Sequence, residues 1–206
     1  MKRSEKRLVE ARKLRKTKEI LATRRNPLDP ASVAQCGVCL NLGENHCPSE
    51  GSADAKLMIV GSTPGAKEVE AQRPFVGPSG ELLDLMLDCA DIERKDCYIT
   101  NVVKCRPPGN RAGRPGEITN CKNIWLNLEL AKIKPKLVLL VGKDATLGLI
   151  GQERFVHGQS YTSKKHDRTF LVTRHPSYYL RIKNAGEFIA FGAKLREVYD
   201  RVLKST

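Results

Sequence analysis

Lys56-Leu-Met-Ile-Val-Gly61 and Leu137-Val-Leu-Leu-Val-Gly142 are the stretches that decide the fold. Each is a short, continuous apolar run ending in glycine. Such runs read as strands buried on both faces, the habit of a parallel sheet covered by helices. Cys97-Tyr-Ile-Thr-Asn-Val102 and Thr169-Phe-Leu-Val-Thr173 read as two more strands. Helical stretches are predicted over residues 79–89, 118–131, 144–149 and 186–203. Strand and helix alternate, which predicts the α/β class: a three-layer α/β/α domain around a central, mostly parallel four-stranded sheet. Ligands of such sheets bind beyond the carboxyl ends of the strands. A site is therefore expected among residues 62–80, 101–121 and 174–181.

The 206 residues suffice for one domain with an appendage, divided here as an arm and linker over 1–30 and a domain over 31–206. Net charge is +13. Residues 1–25 hold 11 Lys/Arg and 3 Glu, a local charge of +8. Residues 2–23 contain neither Gly nor Pro and predict a helix, which Asn26-Pro27 and Asp29-Pro30 end. This basic block reads either as an arm that contacts nucleic acid or as a solvated helix. The longest apolar runs are too short to cross a bilayer, and no apolar signal core follows the basic start. The expected setting is intracellular, cytoplasmic or nucleoid-associated, without secretion or membrane contact.

Seven cysteines in such a chain are expected as thiols or metal ligands. Cys36 and Cys39 form a C-x2-C pair, and Cys105 and Cys121 flank a Pro/Gly-rich basic loop. Four thiolates point to a metal centre and by themselves admit zinc as well as iron–sulfur. Cys89 and Cys97 read as small buried hydrophobes, and Cys47 as a spare close to the C-x2-C pair.

Three loops carry chemistry. Gly61-Ser-Thr-Pro-Gly-Ala-Lys-Glu68 and Arg73-Pro-Phe-Val-Gly-Pro-Ser-Gly80 follow the first predicted strand. Thr100-Asn-Val-Val-Lys-Cys-Arg-Pro-Pro108 closes the second, and Arg174-His-Pro-Ser-Tyr-Tyr-Leu-Arg181 follows the fourth. Taken singly, Phe75 reads as core, Asn101 as a turn former and His175 as a structural histidine. In this order, and with the four cysteines, the segments resemble the iron–sulfur (family 4) uracil-DNA glycosylases of the uracil-DNA glycosylase superfamily, over about residues 33–203.

The resemblance implies a monofunctional DNA repair enzyme that flips uracil out of the helix and hydrolyses its N-glycosidic bond, leaving an abasic site. It implies a [4Fe–4S] cluster on Cys36, Cys39, Cys105 and Cys121, with a structural role. Phe75 would stack on the base, Asn101 would read its edge, and Gly61 and Thr63 would border the pocket. His175 would stabilise the departing uracilate, an oxyanion-type effect. Glu68 would position or polarise water. Leu180 would wedge into the stack, Arg181 would hold phosphate, and Ser79 and Gly80 would offer backbone N–H groups to phosphate. The partner is uracil-containing DNA, single- or double-stranded, bound by a monomer.

The sequence departs from the family's Gly-Glu-x-Pro-Gly pattern. Ser62 stands where the first acid is usual, and Val69 follows Glu68 where an Asp is usual. A hydroxyl cannot serve as a carboxylate base. Two alternatives follow: a catalytically weak or inactive DNA-binding protein on the same fold, and a glycosylase for another modified base. The 105–121 loop contains no histidine, so covalent trapping of DNA is not expected.

Overall fold

The computed structural model describes residues 33, 36, 38, 39, 42, 45–152, 154–163 and 167–205. The helix expected over residues 2–23 lies outside the described residues.

The four apolar runs form parallel strands: β2 (Leu57–Gly61), β3 (Cys97–Asn101), β4 (Leu137–Val141) and β6 (Arg168–Thr173). Two antiparallel edge strands complete a six-stranded sheet, β1 (Glu50–Gly51) against β3 and β5 (Ser160–Ser163) against β6. The order is β1-β3-β2-β4-β6-β5. The apolar runs predict only the four central strands. The edges escape this pattern because one has two residues and the other, Ser-Tyr-Thr-Ser, carries no apolar run.

The helices are α1 (Ala66–Ala71), α2 (Pro78–Cys89), α3 (Pro115–Cys121), α4 (Asn127–Ile133), α5 (Lys143–Ile150), α6 (Pro176–Arg181) and α7 (Ala185–Lys204). A π turn over Lys122–Leu126 joins α3 to α4, so the helix expected over 118–131 is present but locally underwound.

Side chains on successive strand residues point to opposite faces. Leu57, Ile59, Leu137, Leu139 and Val141 pack toward α2, α6 and α7 with Leu83, Met86, Tyr179 and Phe188. Met58, Val60, Val138 and Leu140 pack the other way, against Leu126, Leu130 and Ala145 of the α3–α4 and α5 layer. Both faces are dry, which is why these strands show no polar alternation. Cys97 is buried as expected, but Cys89 is exposed: it lies at the last turn of α2, on the side away from the sheet's core.

Chain order places β3 and then β4 on opposite sides of β2, so the connectivity reverses between β2 and β4. A crevice at the carboxyl ends is the geometric consequence. Among the described residues no helix is long and apolar enough to cross a membrane.

Candidate active site

A cleft of about 840 Å³ opens at the carboxyl ends of the four parallel strands. Ser62, Thr63 and Glu68 reach it from beyond β2, Asn101 from the end of β3, and His175 and Arg181 from beyond β6. Phe75 and Ser79 border it from the loop before α2 and from that helix's start. Gly61, Gly80 and Leu180 lie outside the lining.

Gly61 nonetheless shapes the site. It pairs with Asn101 across β2 and β3. A Cβ on Gly61 would collide with Asn101 Oδ1 and lie 2.7 Å from Phe75 Cε2 and Cζ. Glycine there lets the carboxamide and the ring share one corner. Phe75 itself has φ 53°, in the left-handed region that a bulky residue occupies only when its surroundings hold it there. Arg94 does that holding. Its guanidinium donates to the carbonyls of Pro74 at 2.7 Å and Phe75 at 3.3 Å, and is itself held by Asp84 at 2.7 Å and by Glu50. The Phe75 ring stacks 5.9 Å from the His175 ring at an interplanar angle of 24°.

His175 caps α6. Its Nδ1 accepts from the Ser177 backbone N–H at 3.2 Å. An N–H donor at Nδ1 leaves the proton of a neutral imidazole on Nε2. Burial pushes the His175 imidazole down to about 4, with the Asp144 carboxylate opposing and the Arg181 guanidinium adding to the fall. At neutral pH the ring is therefore uncharged, with Nε2–H as its donor. Gly142, at φ 92°, brings the chain past this histidine so closely that a Cβ there would lie 3.1 Å from His175 Cβ.

Glu68 lines the cleft, but its Oε2 accepts from the Gly65 backbone N–H at 3.0 Å, closing the first turn of α1. Gly80 does not offer its N–H outward, as was expected: it donates to the Gly77 carbonyl at 2.7 Å as the first turn of α2 closes. Ser79 remains at the cleft edge. Leu180 is 39% exposed on α6.

Three groups escaped the sequence analysis. Asp144, beyond β4, lines the cleft; Ser62 Oγ and the Gly113 N–H, at 2.9 Å, both donate to its Oδ2. An acid two residues beyond the glycine that follows β4 was the available signal. Lys104 and Glu129 form an ion pair of 2.7 Å with side chains 1% and 0% exposed. Lys104 Nζ also donates to the Asn101 carbonyl at 3.0 Å, behind the cleft. Arg94 is the third. These last two are tertiary pairings with no local pattern.

Cys36, Cys39, Cys105 and Cys121 border a second, smaller cavity, walled by Val33, Val38, Leu42, Ile124 and Trp125. The Trp125 indole N–H donates to Cys36 Sγ at 3.3 Å, and the Lys104 backbone N–H to Cys121 Sγ at 3.2 Å. Burial pushes the Cys105 thiol up to about 12, with Cys36 and Cys39 adding to the rise, and pushes the Cys121 thiol up as well. Sulfurs so placed ionise only beside a cation, and N–H···S bonds favour the thiolate, the form that a metal-bound cysteine takes. Among the described residues no group of three or more His, Cys, Asp or Glu is disposed to hold a metal ion. Cys47 lies outside this cavity, its Sγ donating to the Pro48 carbonyl at 3.4 Å.

Comparison with known proteins agrees with this architecture. Residues 48–201 match the model of the Uracil DNA glycosylase superfamily. A type-4 uracil-DNA glycosylase of Sulfurisphaera tokodaii is 38% identical over 143 residues, covering 65% of this chain and 64% of the relative. One from Pyrobaculum aerophilum is 37% identical over 147 residues, 67% of this chain and 74% of the relative. One from Thermotoga maritima is 36% identical over 160 residues, 72% and 80% respectively. The chain thus spans roughly two thirds to four fifths of these relatives. A match that runs unbroken through all four parallel strands and their carboxyl-end loops makes this chain a member of the uracil DNA glycosylase superfamily, on its type-4 branch.

Proposed function

We propose that this chain excises uracil from DNA as a monofunctional glycosylase. The observation that carries the reading is the meeting of Phe75, Asn101 and a neutral, Nε2-protonated His175 in one cleft. The names of the three relatives given above, each a type-4 uracil-DNA glycosylase, support it.

In this reading the uracil nucleotide leaves the stack and enters the cleft. The Phe75 ring stacks on the base, beside Thr63. The Asn101 carboxamide both donates and accepts, which matches the edge of uracil, where an N–H lies between carbonyls. As the N-glycosidic bond breaks, its electron pair moves onto uracil and charge grows on the carbonyl oxygens. His175 Nε2–H donates to that charge. A neutral donor suits the task, because stabilisation grows with the charge while no proton need be transferred. Glu68 positions or polarises water through the oxygen not engaged by Gly65. Arg181 and Ser79 hold phosphates and Leu180 fills the vacated stack. No amine nucleophile is assigned, so the strand is not cut.

Cys36, Cys39, Cys105 and Cys121 would hold a [4Fe–4S] cluster. When bound, it supplies a structural crosslink between the segment before β1 and the loop after β3. The basic residues 1–25 would contact nucleic acid. The protein would act as an intracellular, nucleoid-associated monomer.

Uracil release from a labelled oligonucleotide by anaerobically purified protein tests the proposal. Release that His175→Ala and Asn101→Ala abolish is the expected result. Tight DNA binding with no release would favour a DNA-binding protein without catalysis, the reading that Ser62 motivates; release of another base would redirect the specificity.

A further inference from the structure

We propose that Asp144 is the carboxylate that activates water in this chain, with Ser62 as its hydrogen-bonded support. The inference rests on the glycosylase reading above and divides its water step: Asp144 takes the proton, and Glu68 is left to position the water.

Ser62 follows β2 and Asp144 follows β4, the two neighbouring strands between which the connectivity reverses. Both residues line the cleft. A serine at position 62 deprives the β2 loop of an acid, but Asp144 brings one to the same point from the adjacent strand. The Ser62 hydroxyl donates to Asp144 Oδ2, and so does the Gly113 N–H at 2.9 Å. Both bonds fall on one oxygen. They fix the carboxylate's orientation and leave Oδ1 its capacity to accept from water. The side chain is 8% exposed, sheltered from bulk solvent yet on the cleft wall. Its charge is felt at His175, where it opposes the fall in imidazole basicity. Water held on Asp144 and a base held against His175 would thus share one small volume.

Glu68 is differently employed. Its Oε2 closes the first turn of α1. Asp144 sits at the first turn of α5, with Oδ2 held by Ser62 and Gly113 and Oδ1 not engaged by either.

The C1′–N1 bond breaks and its electron pair leaves with uracil as the N1 anion. The water oxygen forms a bond to C1′, and its proton passes to Asp144. Uracilate takes a proton from solvent, and Asp144 returns its own. The sum is deoxyuridine plus water giving an abasic 2-deoxyribose and uracil.

The test uses the holo-protein and single-turnover uracil release, alongside DNA binding and thermal melting. Asp144→Asn is nearly isosteric and can still accept from Gly113. It should lower the single-turnover rate about 100-fold and leave DNA affinity within about twofold. Ser62→Glu should restore most of the rate in the Asp144→Asn background. That rescue separates chemistry from scaffolding, because an acid at 62 cannot replace the bond that Asp144 accepts from Gly113. Wild-type release with an unaffected Asp144→Asn variant overturns this proposal alone. Loss without rescue by Ser62→Glu also overturns it, reducing Asp144 to a brace for the Gly113 loop. No release by the wild type overturns the glycosylase reading, and this proposal with it.

Discussion

Removing the Lys104 ammonium should destabilise the protein far more than removing any surface cation. Lys104 Nζ lies 2.7 Å from Glu129 Oε2, 3.0 Å from the Asn101 carbonyl and 3.3 Å from Ser49 Oγ. Glu129 accepts further bonds from Ser49 at 2.5 Å and Tyr98 at 3.2 Å. In Lys104→Met the methionine fills the space, but the carboxylate stays buried without a counter-charge. Breaking one side of a buried pair costs about 3–5 kcal/mol. For a chain of this length each kcal/mol moves Tm by roughly 2–4 °C, so the melt should fall by about 6–20 °C. Glu129→Leu should fall comparably, leaving a buried ammonium. The double variant Lys104→Met/Glu129→Leu should recover at least half of either loss, because no unpaired charge remains. Lys194→Ala, which breaks an exposed pair with Glu197, should change stability by about 0.5 kcal/mol or less. The assay is thermal unfolding of the holo-protein by circular dichroism. A Lys104→Met melt within about 2 °C of the parent, or a double variant as unstable as the sum of the singles, would refute the reasoning.

Three further outcomes are expected. His175 has a folded-state value of about 4 against 6.5 unfolded; between these the unfolded chain takes up a proton that the folded one does not. Stability should therefore fall as pH is lowered through that window, by roughly 3 kcal/mol in all, and urea midpoints of a His175→Gln variant should lose that part of the slope. Gly61→Ala should destabilise by about 1–3 kcal/mol and depress uracil release more than Thr63→Ala does, since its methyl displaces both Asn101 and Phe75. Trp125 is the single tryptophan of the chain and donates to Cys36 Sγ at 3.3 Å. Its fluorescence should rise when iron is chelated from the purified protein, and an emission blind to iron removal would count against a cluster at that cavity.

The four central strands were legible because burial on both faces writes itself as an unbroken apolar run. The loops that carry Phe75, Asn101 and His175 were legible because strand ends point to the site in any parallel sheet. Other features leave no such trace. Helices α1 and α6 have six residues each, under two turns, too few for a periodic pattern. The π turn at Lys122–Leu126 changes the phase of a helix without changing its composition. Asp144 reads locally as a first-turn acid of α5, and only the pairing of β2 with β4 sets it against Ser62. Lys104 and Glu129 lie 25 residues apart and look like ordinary surface charges until the fold closes over both.

The two modest edge strands bear on solubility. Inside them, β3 and β6 are almost wholly buried strands with hydrogen-bonding capacity on both sides. What hides β3 on its outer side is the pair Glu50–Gly51, and what hides β6 is Ser-Tyr-Thr-Ser, whose residues alternate toward solvent. Six residues, of which Tyr161 alone packs on the core, thus stand between the inner strands and every other copy of the chain. Proteolytic nicking or trimming at either border would leave the cleft's residues intact in sequence yet turn the molecule into a template for edge-to-edge aggregation.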